Sequence, residues 1–179
     1  MQNVTESLAG RVGIIAMQGF SISEKQKREC KIFVPDNLFI RGSDYPFSEI
    51  FYNIWIGSYP RLWVNENAPE YWESFYSSYV QTYIERDVRS LTKIGDELTF
   101  LKFMKTIAAR IGNLLDYNDV AKGVEISGPT AKAWMSILVS CGIIFLLQPY
   151  SNNFTKRIVK TPKLYFNDTG LACWLSGWK

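Results

Sequence analysis

The sequence contains no histidine in 179 residues. That absence removes a histidine-containing triad, histidine-ligated zinc and the usual imidazole acid–base catalyst. Cysteine is nearly as scarce. Cys30, Cys141 and Cys173 are odd in number and widely spaced, and no pair has metal-ligand spacing. They read as reduced thiols, which suits a cytoplasmic protein rather than a disulfide scaffold. There is no G-x-x-x-x-G-K-[ST] run, so nucleotide phosphates have no cradle in this chain. An acidic strand end of the kind that holds magnesium is also missing, as is any carboxylate cluster at metal-ligand spacing. The longest apolar stretch, Ala133 to Leu147, is interrupted by Gly142 and is shorter than the roughly 20 residues that cross a bilayer. It reads as a buried helix followed by a buried strand, and no membrane association is expected. The N-terminus lacks a basic region followed by an apolar run, so no secretory signal is expected either. The charge balance, 20 basic against 17 acidic residues, is too mild to demand nucleic acid or an anionic membrane.

What remains is apolar and aromatic: 47% of residues are hydrophobic and 15% aromatic, enough for a substantial core in one or two small domains. The run Val12 to Met17 has the length and β-branching of a buried strand. Ser21-Ile22-Ser23-Glu24 has the form of a capping box and starts a short helix. A connector covers 31–45, broken by Pro35. From Pro46 the pattern turns helical. Phe47, Ile50, Phe51 and Ile54 share one face, and Gly57 ends the helix. Gly57-Ser58-Tyr59-Pro60-Arg61 is then a turn. Glu70 to Leu91 is the strongest helix, with Trp72, Phe75, Tyr76, Tyr79, Val80, Tyr83, Ile84, Val88 and Leu91 on a wide apolar face. Asp96 caps another, with Phe100, Leu101, Met104, Ile107, Ala108 and Ile111 inward.

The last third reads as helix, turn, helix and ribbon. A short helix covers Tyr117 to Lys122, and Gly123 to Ile126 turns the chain. Ser127 caps a second helix with Pro129 in its first turn, and Ala131, Trp134, Met135, Leu138 and Cys141 face inward. A strand follows from Ile143 to Gln148, then a polar tip, a return over Arg157 to Thr161, an extended piece at Leu164 to Phe166, and a final helix. That is the order of a winged helix-turn-helix. The expected architecture is mainly α with a small β component. It comprises the last strand of an α/β core (1–30), the connector (31–45), a helical lid or linker (46–111) and a winged helix (112–179).

Five segments carry a family resemblance: SLAGRV at 7–12, GSYPR at 57–61, YIERDVR at 83–89, DVAKGVEISGPTAKAW at 119–134 and PKLYFNDTGLACWL at 162–175. Together they resemble prokaryotic AAA-type ATP-binding proteins that carry a C-terminal domain of unknown function. The resemblance implies that the phosphate loop and a nuclease-like module lie outside this chain. ATP and Mg2+ would belong to a missing ATPase core, and the chain alone would not be an enzyme. It also implies roles for particular residues. Arg11 would act as an arginine finger toward a neighbouring subunit's nucleotide in an oligomer, or else cap a helix end. Arg61 would sense a phosphate from the lid side, or merely follow the turn. Arg86, Asp87 and Arg89 would transmit nucleotide state, or lock helices together, with Arg110 as another partner for Asp87.

The residues themselves raise further candidates. If the winged helix reads DNA, Thr130 and Lys132 sit near the start of the recognition helix, and Lys156 and Arg157 lie in the wing. A stand-alone winged-helix DNA-binding protein is therefore the alternative, and a protein partner fits the weak charge as well. Trp55, Tyr59 and Trp63 could form an exposed aromatic contact patch. Asn167-Asp168-Thr169-Gly170 superficially matches the Asp-Thr-Gly of aspartic proteases, but reads as the cap of the final helix.

Overall fold

The computed structural model describes residues 13, 15, 17–29, 46–64, 68–83, 97–150, 152 and 160–178. The described residues are mainly helical, with one small antiparallel sheet. In chain order the elements are α1 (Ile22–Lys25), α2 (Phe47–Ile56), α3 (Pro60–Trp63), α4 (Ala68–Tyr83), α5 (Glu97–Ala108), α6 (Tyr117–Val124), α7 (Gly128–Ser140), β1 (Ile144–Leu147), β2 (Lys163–Phe166) and α8 (Thr169–Leu175).

The caps behave as their side chains dictate. The Ser21 hydroxyl accepts from Glu24 N–H at 3.3 Å, and the Glu24 carboxylate accepts from Ser21 N–H at 2.8 Å, which closes the box that starts α1. Those bonds from Ser21 hold the Glu24 carboxyl below its ordinary range. Asp116 caps α6 by accepting from the N–H groups of Asn118 and Asp119 at 2.8 and 3.2 Å, and Ser127 caps α7 through Thr130 N–H at 3.1 Å. α6 runs two residues past the expected stop at Lys122. Gly123 stays helical, and the reversal falls on Glu125 in the left-handed region at φ 65°. A side chain at position 123 would meet Thr106 of α5 and the Arg110 guanidinium at ordinary contact distances, so that glycine is not what ends the helix.

One continuous set of buried side chains runs from Ile56 to Leu175. α4 contributes Trp72, Phe75, Tyr76, Val80 and Tyr83; the rest of the long helix expected to Leu91 lies outside the described residues. α5 buries Phe100, Phe103, Met104 and Ile107. Phe103 was not among the expected inward residues. It is recruited because Trp134 of α7 packs edge-on against Phe100 and Phe103, at centroid distances of 5.1 and 5.4 Å. Ile111, expected inward, falls beyond the end of α5 and is 40% exposed.

Three other expectations need correction. Phe47, Ile50, Phe51 and Ile54 do lie on a helix, α2, that stops before Gly57, as expected, but Phe47, Ile50 and Phe51 are exposed, and the buried residue is Ile56. The sequence FSEIFYNIWI is apolar almost all round, so spacing alone does not choose a face; the last turn packs instead. Within the expected first strand, Gly13, Ile15 and Met17 belong to no strand, and Ile15 and Met17 are 87% and 91% exposed. A strand of this kind is stable only between neighbours in a sheet. Third, the residues that pair with β1 are Lys163–Phe166, with Ile144 opposite Phe166 and Leu147 opposite Lys163. Lys160 and Thr161 are in no strand, and the remainder of the expected return lies outside the described residues. The other edge of β2 is joined by 112–115: Leu164 N–H donates to the Asn113 carbonyl at 3.2 Å, and Leu115 N–H to the Pro162 carbonyl at 2.9 Å.

Candidate functional site

Among the described residues, the buried charged side chain is Asp168, which lies between β2 and α8 and is 3% exposed. Its Oδ1 accepts from Leu171 N–H at 2.6 Å, the expected helix cap, and from the Tyr76 hydroxyl at 2.7 Å. Its Oδ2 accepts from Ser58 N–H at 2.6 Å and from the Ser58 hydroxyl at 2.8 Å. A buried carboxylate is costly unless its lone pairs are satisfied, and here four donors meet it. They come from three places: the turn after α2, the middle of α4 and the first turn of α8. Asp168 is therefore a joint as well as a cap.

Two glycines let these segments close. Gly57 adopts φ 82°, ψ −162°, a backbone region in which a side chain is strained. A Cβ there would lie 2.7 Å from Asp168 Oδ2 and would also strike the Tyr76 hydroxyl. At Gly170 a Cβ would sit 2.9 Å from the backbone N and Cα of Gly57. The turn and the helix start thus touch backbone to backbone.

The carbonyl of Gly57 is held from the other side. Trp63 Nε1–H donates to it at 2.9 Å and Lys25 Nζ at 2.8 Å, with the Lys25 ammonium 4.6 Å from the Trp63 ring centroid. Partial burial lowers the Lys25 pKa, and the Asp168 charge opposes that shift. Phe20 N–H donates to the Ser58 carbonyl at 2.8 Å, which brings a fourth segment to the joint. Burial first, and the Asp168 charge second, push the Tyr76 hydroxyl well above its ordinary range, so it remains a donor. Tyr59 is shifted upward mainly by burial, with Tyr79 adding to it. No group of histidine, cysteine, aspartate and glutamate side chains among the described residues could hold a metal ion.

Cys173 lies one turn further along α8. Its thiol donates to the Ile54 carbonyl at 3.7 Å, and burial followed by the Asp168 charge pushes its pKa up to about 11. At pH 8 its thiolate population is on the order of 100-fold below that of a solvent thiol. Iodoacetamide at that pH is expected to label half-buried Cys141 and leave Cys173 intact in the native protein. Peptide mass spectrometry reads this directly, and labelling of Cys173 as fast as in urea would contradict the burial.

Of the residues singled out in the sequence, Arg61 is exposed on α3, its guanidinium 5.4 Å from the Tyr71 ring centroid rather than at the joint. The Thr130 hydroxyl is 2.7 Å from that of Ser127, within the cap of α7, whereas Lys132 is exposed on the same helix. Arg110 pairs with Asp119 at 2.8 Å. Arg11, Arg86, Asp87, Arg89, Lys156 and Arg157 lie outside the described residues. The aromatic contact patch is corrected: Trp55, Tyr59 and Trp63 pack against the core, Trp55 stacking on Trp72 at 4.8 Å. What the sequence reading missed is that GSYP and NDTG are one feature. Each motif shows a glycine beside a short hydroxyl or carboxylate residue, the composition of a close backbone contact, but nothing local says that the two meet.

The fold and the joint define a mainly helical protein with a small antiparallel sheet, clasped around a buried aspartate. The chain belongs to the family described as a domain of unknown function, DUF8612, which it matches over residues 48–179. It is also similar to an uncharacterized protein of Mycobacterium bovis and to one of Mycobacterium tuberculosis. Each is 26% identical over 173 residues, covering 97% of this chain and 34% of the relative. The chain thus spans about a third of the length of these curated relatives. No solved structure matches it. Among the described residues no helix is long and apolar enough to cross a membrane.

Proposed function

We propose that this chain is the coupling part of a longer AAA-type ATP-binding protein, linking the nucleotide state of a core outside it to a partner protein. The observation that carries this reading is the Asp168 joint. It ties the stretch at Phe20–Lys25, which would adjoin the core, to the helix that follows the sheet. A displacement of the N-terminal stretch would pull on the Gly57–Ser58 turn, and through Asp168 on β2 and α8. ATP and Mg2+ would be held by the core, with Arg11 as a finger toward a neighbouring subunit. The order α5, 112–115, α6, α7, β1, β2 is compatible with a winged helix.

On the outward face of α7, a protein partner fits better than DNA does. Lys132 is the only charged residue among the outward positions Pro129, Lys132, Ala133, Ser136, Val139 and Ser140 of α7, and Thr130 is engaged in the cap. DNA affinity is built mainly on phosphate neutralisation, which needs several cations. On the sheet, Phe145 and Tyr165 stack at 5.4 Å, and Phe145 and Leu147 are exposed. Calorimetric titration of the chain with ATP and Mg2+ should give no binding heat, and micromolar affinity would refute the assignment of the nucleotide site to a separate core. In parallel, a 20-base-pair duplex should bind weakly at low salt. Tight binding that collapses as salt is raised would favour the DNA-binding alternative.

A further inference from the structure

The peptide bond between Gly57 and Ser58 is gripped at both edges. Its N–H, on Ser58, donates to Asp168 Oδ2 at 2.6 Å, and its carbonyl, on Gly57, accepts from Lys25 Nζ at 2.8 Å. The bond is trans, so these two groups point to opposite sides of the peptide plane. An ammonium thus sits at the negative end of one peptide dipole and a carboxylate at its positive end. A cation on the carbonyl polarises the amide and strengthens its N–H as a donor. Among the described residues Asp168 makes no direct ion pair, since Ser58, Tyr76 and Leu171 are neutral donors. The two grips are anchored differently. Asp168 is buried, whereas none of the described residues from 17 to 29 is. α1 has four residues, too few to persist alone, and the Ser21–Glu24 box steadies it only locally. Phe20 N–H on the Ser58 carbonyl and Lys25 on the Gly57 carbonyl and Trp63 ring hold this stretch to the body. Gly19 approaches so closely that a Cβ there would lie 2.9 Å from the Ser58 carbonyl oxygen. Beside these contacts a cleft of about 520 Å³ lies between the stretch and α2, lined by Phe20, Ile22, Gln26, Ile50 and Asn53. Few contacts and no buried side chain give a low free energy of local opening.

We infer that residues 19–25 form a releasable strap whose Lys25 is the counter-ion of Asp168, acting through the Gly57–Ser58 peptide. Docking of the strap tightens the joint, and its release loosens it. Burial lowers the Lys25 pKa while the Asp168 charge raises it, so the ammonium feels the carboxylate across the peptide. The joint survives release because its four donors to Asp168 belong to the body and not to the strap. What release removes is a charge, and that loss is felt on the far side of one peptide plane. Use of the strap as a signal rests on the coupling role proposed above, whereas its existence and its hold on Asp168 do not.

Amide hydrogen exchange of the full chain, followed residue by residue by NMR, reads both halves of the inference. Phe20 N–H should be protected about 100-fold less than Ser58 N–H, because the strap opens without the core. Lys25→Met keeps an unbranched stem over Trp63 and removes the charge. Protection should then fall about tenfold at Phe20 and about fivefold at Ser58, while Lys25→Arg stays within about twofold of the wild type. In urea, Lys25→Met should raise the unfolding equilibrium constant about fivefold in the wild type, but less than about twofold in Asp168→Asn, where the charge it answers is gone. The exchange readings need no variant at 168, so they decide the matter even if Asp168→Asn does not fold. Equal protection at Phe20 and Ser58 would show that there is no separate strap. Unchanged Ser58 exchange in Lys25→Met, an equal loss in Lys25→Arg, or the same loss in both backgrounds would show that Lys25 is no counter-ion. Each of these results overturns the inference, and none bears on whether the parent protein binds ATP.

Discussion

Gly57→Ala is expected to lower the unfolding free energy by about 3–5 kcal/mol, combining backbone strain with overpacking. Residue 57 stands at φ 82°, ψ −162°, where any Cβ-bearing residue costs on the order of 1–3 kcal/mol. The added methyl would also enter the space where the Tyr76 hydroxyl meets Asp168, 2.7 and 2.9 Å from the two carboxylate oxygens. A flexible neighbour could swing aside, but these atoms hold one another in place. Relief therefore requires breaking a buried hydrogen bond. Gly170→Ala makes the complementary test. Its methyl would press on Gly57 backbone atoms at 2.9 Å, which have no rotamer to escape into. Urea unfolding followed by tryptophan fluorescence measures both, and a loss under about 1 kcal/mol in each would mean that the two segments are not closely joined.

Removal of Asp168 should be nearly as damaging, and its conservative variant gives the more telling result. Asp168→Ala leaves Ser58 N–H and Leu171 N–H without their acceptor in a buried site, for an expected loss of about 3–5 kcal/mol. Asp168→Asn preserves shape but not acceptor count. Whichever way the amide is turned, its NH2 faces a backbone N–H, at Ser58 in one orientation and at Leu171 in the other. A loss of about 2–3 kcal/mol follows, since an unpaired buried donor keeps its full desolvation cost. Ser58→Ala should cost only about 1 kcal/mol, because the backbone N–H bond remains. The order Ala, Asn at 168, then Ala at 58 is the signature. Equal, small effects across the three would reduce Asp168 to an ordinary helix cap.

Local signals were legible where the physics is local. The capping box at Ser21–Glu24, the caps at Ser127 and Asp168, and the stop at Gly57 each depend on a few adjacent residues, and each forms as the sequence suggests. The face buried by α2 was not legible, because its apolar residues surround the helix and the neighbouring elements make the choice. Phe103 was overlooked for a related reason: Trp134, thirty-one positions away, creates its niche. The candidate site was half legible. Gly57, Ser58 and Asp168 were each noticed, but Ser58 and Asp168 stand 110 positions apart, and the sequence between them carries no local record of their contact.

That separation also orders events during synthesis. The turn at Ser58 and the hydroxyl of Tyr76 leave the ribosome 110 and 92 residues ahead of the carboxylate that accepts from them. Domains ordinarily fold as units once their parts are available. Here the earlier helices can gather their aromatic side chains, but the Gly57–Ser58 turn has nothing to close on until Asp168 emerges. The later of the two segments thus fastens the earlier one, and a nascent chain halted before Asp168 would expose an unfastened, aromatic-rich set of helices to the cell's chaperones and proteases.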